Sequence, residues 1–171
     1  MSRILKTPIL LLLFSALLSA QSTAKKPIEG VWKVVEIVVT GAGASNTPNP
    51  QPSLLILTQG HYSQIGVTGD KPRTLYKAEE PTNAEKIAAF DSFFANAGTY
   101  EISGSNLTIR PIIARNPNFM GGGFTRYQFR VEGNNLWLTD KSSDTSLRIG
   151  QRVVPSSSPA SETRTKYVRV E

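Results

Sequence analysis

The side chains that most often perform chemistry in proteins are scarce in this sequence. There is no cysteine, so the chain has no thiol nucleophile and no disulfide, and His61 is the only histidine. A metal site would have to combine that single imidazole with carboxylates. The Gly-x-Ser-x-Gly elbow, the His-Glu-x-x-His helix, the phosphate-binding loop and the dinucleotide fingerprint are absent from the sequence. We therefore expect no metal, no cofactor and no catalytic residue of a familiar class.

Glu36 is the carboxylate whose position in the sequence is hardest to interpret. If Trp32 and Val34 face the interior of a sheet, strict alternation puts Glu36 on the same face. A buried carboxylate needs a partner or a raised pKa, which would make Glu36 a candidate site residue. The other interpretation is that the face of Val35 and Ile37 is the dry one, with Glu36 at the surface.

The remaining ionisable residues are interpreted as surface groups. His61 follows the turn residue Gly60 at the start of a strand, which is typical of a partly exposed structural histidine. Asp140 and Asp144 are assigned to a polar connecting segment, where exposure to solvent accounts for them without a bound calcium ion.

The first 26 residues have the order of a secretory signal peptide. Arg3 and Lys6 precede an apolar run over residues 9–18, which small residues follow. The run is shorter than the roughly 20 apolar residues that a membrane-spanning helix needs. We expect residues 1–20, or 1–24 with the later cut, to be removed on export to the periplasm or the cell exterior, without stable membrane insertion afterwards. A retained anchor is the alternative.

Residues 28–171 form one predicted domain, long enough to bury a core without disulfides or metals. Loss of Arg3 and Lys6 with the leader lowers the net charge from +6 to +4. The basic residues are scattered and form no dense run, so we expect no nucleic-acid partner.

Short β-like runs separated by Gly, Pro, Asn and Ser dominate this domain. Parallel strands would need long crossover connections, so the close spacing predicts an antiparallel sandwich or barrel. The runs cover residues 29–39, 53–59, 61–67, 98–103, 106–113, 124–132, 136–139, 146–154 and 164–170. In the run 124–132, Tyr127 and Phe129 alternate with Arg126 and Arg130, the pattern of one dry and one wet face.

One helix is predicted over residues 82–96. Thr82 and Glu85 have the spacing of a capping box. Its apolar stripe consists of Ile87, Phe90 and Phe94. The stripe must lie on something apolar, so the helix is expected to plug one mouth of a barrel or to pack on its outside. The phenylalanines are then core residues, with a ligand gate as the alternative.

Gly30-Val31-Trp32 at the start of the first strand resembles the Gly-x-Trp signature of lipocalins. Further segments, in the same order, are similar to the bacterial lipocalin-like domain family of calycin-type β-barrels. These segments are residues 52–63, 94–100, 116–122, 136–139 and 169–171. The resemblance covers nearly all of residues 28–171.

The resemblance implies a mainly β protein, an antiparallel up-and-down barrel of about eight to ten strands with one inserted helix. It also implies a structural floor of Gly30, Trp32 and Arg169, in which the arginine packs over the tryptophan ring by cation–π attraction. Arg152 is the alternative closing arginine, because a Ser/Pro-rich loop at residues 155–163 separates two possible last strands.

A barrel of about eight strands has room for side chains or for one small ligand. Alternation and the family analogy nominate as ligand-binding residues Trp32, Tyr62, Phe94, Tyr100, Arg110 and Tyr127. Arg110, or Arg115 in its place, would hold a ligand carboxylate by a charge-assisted hydrogen bond. Many family members carry histidines in the strand equivalent to residues 108–113, whereas this chain has none there, so no histidine role is carried over.

We predict an exported, monomeric, lipocalin-like protein that binds a small apolar or amphipathic molecule and is not an enzyme. One alternative is a barrel-type cyclase or isomerase that uses an inward Glu36 or His61. The other is a packed barrel without a cavity, acting as an envelope interaction module.

Overall fold

A computed structural model describes residues 26–171, and in this part of the chain it contains eleven strands and one α-helix. The strands are β1 (Gly30–Gly41), β2 (Ser45–Pro48), β3 (Ser53–Leu57), β4 (His61–Val67), β5 (Phe93–Ser103), β6 (Asn106–Ala114), β7 (Phe124–Glu132), β8 (Asn135–Lys141), β9 (Thr145–Ile149), β10 (Arg152–Pro155) and β11 (Ser161–Arg169). Helix α1 (Asn83–Asp91) lies between β4 and β5. The predicted signal peptide falls outside the described residues.

Eight of the strands close into an antiparallel barrel. Around the barrel they follow the order β1, β3, β4, β5, β6, β7, β8 and β11, and β11 pairs back onto β1. The short strand β2 pairs with β1, and the β9–β10 hairpin is attached to the start of β7. The predicted mainly β barrel with one helix is confirmed. The predicted strand over residues 146–154 is instead this hairpin, and the Ser/Pro-rich loop shortens to residues 156–160.

A β-bulge interrupts the first strand. Val34 pairs with Tyr167 of β11, but the next pair joins Glu36 to Lys166, so Val35 has no partner on β11. An extra residue in one strand shifts the side-chain alternation by one position.

The bulge decides which residues of β1 face the interior. Because cross-strand partners share a face, Trp32 and Val34 face inward before the bulge, whereas Ile37 and Val39 face inward after it. Glu36 therefore lies on the outer face. The interpretation that Glu36 lies at the surface agrees with this position, whereas strict alternation is wrong for this strand, because Trp32 and Val34 share the inner face with Ile37.

Helix α1 begins where the sequence predicts but ends early. The Thr82 side-chain oxygen accepts a hydrogen bond from the Glu85 backbone N–H at 3.3 Å, and the Glu85 carboxylate accepts one from the Thr82 N–H at 2.8 Å. The capping box is thus present. The helix ends at Asp91 and β5 begins at Phe93, so Phe94 is a strand residue, not a helical one.

The apolar stripe of α1 is not buried against the barrel. Ile87 and Phe90 remain 62% and 55% exposed. The Phe90 ring packs against the guanidinium of Arg115 at 4.6 Å, and Arg115 donates to the Phe90 carbonyl oxygen at 2.6 Å. The expectation that the stripe plugs or covers the barrel is wrong. The helix ends at Asp91, so its last predicted apolar residue, Phe94, belongs to β5 instead.

One half of the barrel interior is packed with side chains. The buried apolar residues form a single cluster: Ile28, Trp32, Val34, Leu55, Leu57, Tyr62, Tyr100, Leu107, Ile109, Leu136, Leu138 and Tyr167. The segment before β1 packs against the Trp32 end, where Ile28 is 1% exposed. We call this the closed end and the opposite one the open end.

Candidate functional site

The closed end is built around Trp32. Its indole N–H donates to the Ile28 carbonyl oxygen at 2.8 Å, and its side chain has no exposed surface. The guanidinium carbon of Arg169 lies 4.1 Å from the centre of the indole ring. The same guanidinium donates to the carbonyl oxygens of Glu29 at 2.6 Å and Pro27 at 2.5 Å. Arg169 therefore joins the last strand to the segment that precedes the first.

Gly30 leaves the space that this arrangement needs. Its φ is 151°, and a Cβ atom there would collide with the Arg169 guanidinium and lie 2.6 Å from the Glu171 carbonyl oxygen. The alternative closing arginine, Arg152, is exposed on β10, outside the barrel.

Toward the open end, the interior changes from apolar to polar. Successive inward residues of β11 define three levels, each completed by one residue of β1 and one of β8. The levels are Tyr167 with Val34 and Leu136, then Thr165 with Ile37 and Leu138, then Thr163 with Val39 and Asp140.

A cavity of about 550 Å³ occupies the open end. The barrel residues in its wall are Val34, Ile37, Ser53, Gln64, Phe94, Thr165 and Tyr167. Its rim consists of Thr47, Pro50, Gln51 and residues 67–70. Asp70 on the rim is the one charged residue among these, so the wall and rim carry no cation.

Gly66 on β4 allows two wall residues to approach each other. A Cβ atom at Gly66 would lie 2.6 Å from both the Phe94 ring and the Ser53 hydroxyl oxygen. The Phe94 ring therefore lies across the strand at this glycine, which keeps the ring against the wall of the cavity.

Three buried polar atoms on the inner face have no hydrogen-bond partner among residues 26–171. They are Ser53 Oγ, Tyr62 OH and Asn96 Oδ1. Ser53 lines the cavity, and Asn96 is the cross-strand partner of the cavity residue Gln64. An unpaired buried polar group destabilises a protein by about 1–3 kcal/mol, so a bound molecule could pair with the two hydroxyl groups as donor or acceptor and with Asn96 Oδ1 as donor.

Four ionisable side chains from four strands face the same interior: Tyr62, Tyr127, Asp140 and Tyr167. Burial raises the pKa of each tyrosine above its usual value, and for Tyr127 and Tyr167 the charge of Asp140 raises the pKa further. The three phenols therefore stay neutral across the physiological pH range.

Asp140 is the residue of this cluster that sequence reasoning missed. It lies on β8 with its side chain inward, so its assignment to a solvated connecting segment is wrong. Burial, with a smaller contribution from the Asp144 carboxylate, raises the pKa of Asp140 from 3.8 to about 7. Neither ion pair in the described residues involves Asp140. The alternation of Leu136, Leu138 and Asp140 was the available signal.

The predicted ligand-binding residues on the inner face occupy different depths. Phe94 lines the cavity. Trp32, Tyr62 and Tyr100 belong to the buried core cluster, and Tyr127 packs against that cluster from the inner face of β7. The Tyr100 hydroxyl donates to the Thr58 carbonyl oxygen at 2.7 Å, which fixes that side chain near the closed end.

The predicted polar residues lie on the outside of the barrel. Arg110 is 3.8 Å from the Glu101 carboxylate and packs on the Phe124 ring at 5.6 Å. Arg115 contacts Phe90, and His61 is exposed at the start of β4. These side chains, like Glu36, are not brought to the cavity.

No protein-family model matches this chain, and no curated protein matches it. The closed eight-stranded antiparallel barrel is consistent with a calycin-like fold. Within residues 26–171, no helix has the length and apolar character to cross a membrane, and no three His, Asp or Glu side chains converge on a possible metal position.

Proposed function

We propose that this protein is a lipocalin-like barrel that binds a small amphipathic molecule at its open end. The observation that carries the proposal is the cavity of about 550 Å³, whose wall combines apolar side chains with buried polar atoms that lack partners. Small-molecule sites commonly have volumes of about 300–1,000 Å³ and a few placed polar groups in an apolar lining. Val34, Ile37 and Phe94 supply the apolar surface, and Ser53 and Gln64 supply the polar one.

The packing of the closed end limits the bound molecule to the open half. Trp32, Leu107 and Leu136 are almost completely buried, with at most 1% of their surface exposed. A ligand must therefore fit the cavity alone, and it must be shorter than the barrel.

We also propose that the protein is exported, on the basis of the charged, apolar and small-residue order of its first 26 residues, and that it then acts as a monomer. Cleavage of the leader would give a chain that begins at Gln21 or Lys25, which sequencing of the N-terminus from a periplasmic fraction measures directly.

The binding proposal is tested with Nile red, a neutral dye whose fluorescence rises in apolar surroundings. Thr165→Phe adds a ring to the cavity wall, whereas Arg164→Phe adds the same ring to the outer face of the same strand. We expect the dye to bind the wild-type protein and Arg164→Phe, and to lose at least about tenfold in affinity for Thr165→Phe. Thermal melts show that each variant is folded.

Equal dye affinity of the two folded variants would contradict binding at the open end. A second measurement is native mass spectrometry of the protein purified from its own host. We expect a bound small molecule that is lost in Thr165→Phe and retained in Arg164→Phe.

A further inference from the structure

Cationic side chains of the barrel are kept out of the open half. Arg126, Arg130 and Lys166 alternate with inward residues and lie outside, where they stack on outer-face aromatic rings. Arg169 faces the floor and is bound there to backbone carbonyl oxygens. Along the described strands, Asp140 is the inward charged residue of the open half.

Asp140 does not line the cavity itself but lies on the inner face one level away from a lining residue. Its partner on β11 is Thr163, and the next inward residue of that strand, Thr165, lines the cavity wall. The following inward residue, Tyr167, lines the wall as well. A molecule in the cavity is therefore one inner-face level from the carboxylate.

Unpartnered polar atoms of the same inner face can accept a hydrogen bond from a donor. Ser53 Oγ on β3 and Asn96 Oδ1 on β5 are both acceptors, and both are buried without a partner in the described chain. Ser53 itself is only 8% exposed and lines the cavity. An ammonium group offers three donors and no acceptor, which matches an interior that holds a carboxylate and unpartnered acceptor oxygens and has no inward cation in its open half.

We propose that the open end selects an amphipathic molecule with a protonated amine, whose ammonium group binds Asp140 while its apolar part lies against Phe94 and Ile37. This inference rests on the proposed binding function and adds the chemical class of the ligand. A ligand carboxylate would meet Asp140 inside and Asp70 on the rim, with no cation to neutralise it. This proposal differs from the predicted ligand carboxylate held by Arg110 or Arg115.

The groups around Asp140 set the pH dependence of this binding. Tyr127 faces it from β7, Tyr167 and Thr163 face it from β11, and Asp144 approaches it from the turn after β8. Both tyrosines are neutral throughout the relevant range, so the change in charge belongs to Asp140, whose pKa is about 7. Amine affinity should therefore rise as the pH increases through about 7 and fall when Asp140 is protonated.

The test compares dodecylamine, dodecanol and dodecanoate as competitors of Nile red, with the purified protein at about pH 8. Three proteins are used: the wild type, Asp140→Asn and Glu162→Gln. Glu162 is exposed on the outer face of β11, next to the partner of Asp140, so its variant removes the same charge outside the barrel. We expect dodecylamine to bind the wild type about tenfold more tightly than dodecanol, and dodecanoate to bind most weakly.

Asp140→Asn is expected to remove this preference together with its pH dependence, and Glu162→Gln is expected to keep both. The inference is overturned, with the binding site intact, if dodecanol or dodecanoate binds the wild type as tightly as the amine. It is also overturned if the preference persists in Asp140→Asn or disappears in Glu162→Gln. Failure of Nile red and of all three competitors to bind would overturn the proposed function as well.

Discussion

Arg169 performs two structural tasks with one planar group. Its guanidinium covers the Trp32 ring, and its nitrogens hold the carbonyl oxygens of Glu29 and Pro27. A lysine has the same charge but cannot donate in two fixed directions from a flat surface that stacks on an indole ring.

We predict that Arg169→Lys lowers the free energy of unfolding by about 1–2 kcal/mol, because one of the two hydrogen bonds and the stacking are lost. Urea denaturation monitored by tryptophan fluorescence measures this change. Arg164→Lys, on the outer face of the same strand, serves as the control and should leave the value within about 0.5 kcal/mol. If Arg169→Lys were as stable as the wild type, the floor would not depend on the planar guanidinium group and its two hydrogen bonds.

Asp140 gives the folded state a pH dependence of its own. Its folded pKa of about 7 is above the ordinary value of 3.8, so the folded protein holds this proton more tightly than the unfolded chain does. Its contribution to stability is therefore fully present below about pH 4 and is lost as the pH rises through about 7.

We predict that Asp140→Asn is more stable than the wild type at about pH 8, by about 2 kcal/mol once the partial exposure of the carboxyl group is allowed for. At about pH 4 the two proteins should be nearly equal, because the wild-type carboxyl group is then neutral. Urea denaturation across this range measures the difference. Glu162→Gln is the control, and parallel pH curves for the wild type and Asp140→Asn would contradict the interior position of this carboxylate.

At the scale of the elements, the bulge at Val35 has the largest effect on the site. It turns Ile37 inward, where this residue becomes part of the cavity wall, and it moves Glu36 to the outside. Without the bulge, Val38 would face the interior in place of Ile37, and the carboxylate of Glu36 would be enclosed with it.

We predict that Ile37→Asp destabilises the protein by at least about 2 kcal/mol, because it encloses a carboxylate in the barrel. Val38→Asp should change stability by less than about 1 kcal/mol, since the outer-face partner of Val38 on β11 is Arg164. Thermal denaturation of both variants provides the comparison. The reverse order of stabilities would show that β1 has no bulge in solution.

The start of helix α1 is set by a local capping signal, whereas its end is set by packing in the sheet. The capping box forms because Thr82 and Glu85 are three residues apart and need no other element. The last turn is lost because Phe94 packs at Gly66 in the sheet. Pairing with β4 therefore outweighs helical periodicity at this boundary.

At the scale of the whole molecule, closure of the barrel brings the described ends of the chain together. Val31 donates to the Glu171 carbonyl oxygen at 3.1 Å, and Arg169 holds Pro27. The loop of residues 156–160 lies between β10 and β11 and is mostly exposed. The last strand, β11, thus follows an exposed loop at its start, and near its end the Arg169 side chain holds it to the segment before β1.

We predict that a circular permutant folds to the same barrel, with a short Gly/Ser linker from residue 171 to residue 26 and new ends in the loop 156–160. Its melting temperature should lie within a few degrees of the wild-type value, since the permutation breaks no barrel pairing. Circular dichroism and Nile red binding measure the fold and the site. A control permutant with its ends in the turn between β3 and β4 at Gly60 should lose more stability, because the Gly60 carbonyl oxygen accepts a hydrogen bond from Tyr100. Loss of structure in the first permutant alone would contradict this description of closure.

The sequence alone was sufficient for the features that depend on neighbours in the chain. Alternation in residues 124–132 identified β7 and its inward Tyr127, and the Thr82 to Glu85 spacing identified the start of α1. The barrel class followed from the close spacing of many short strands, and the Gly-x-Trp resemblance pointed to Trp32 and Arg169 as neighbours at one end.

Only the tertiary structure decided the site itself. Whether Glu36 or Ile37 faces inward depends on a bulge against a strand more than 120 residues away in the chain, and the inward position of Asp140 depends on its pairing with Thr163. Alternation within one strand defines two faces but does not specify which one a distant partner will enclose. For that reason the sequence predicted a barrel with a floor, whereas the position of its open cavity and the inward position of Asp140 emerged only from the pairing of all eight strands.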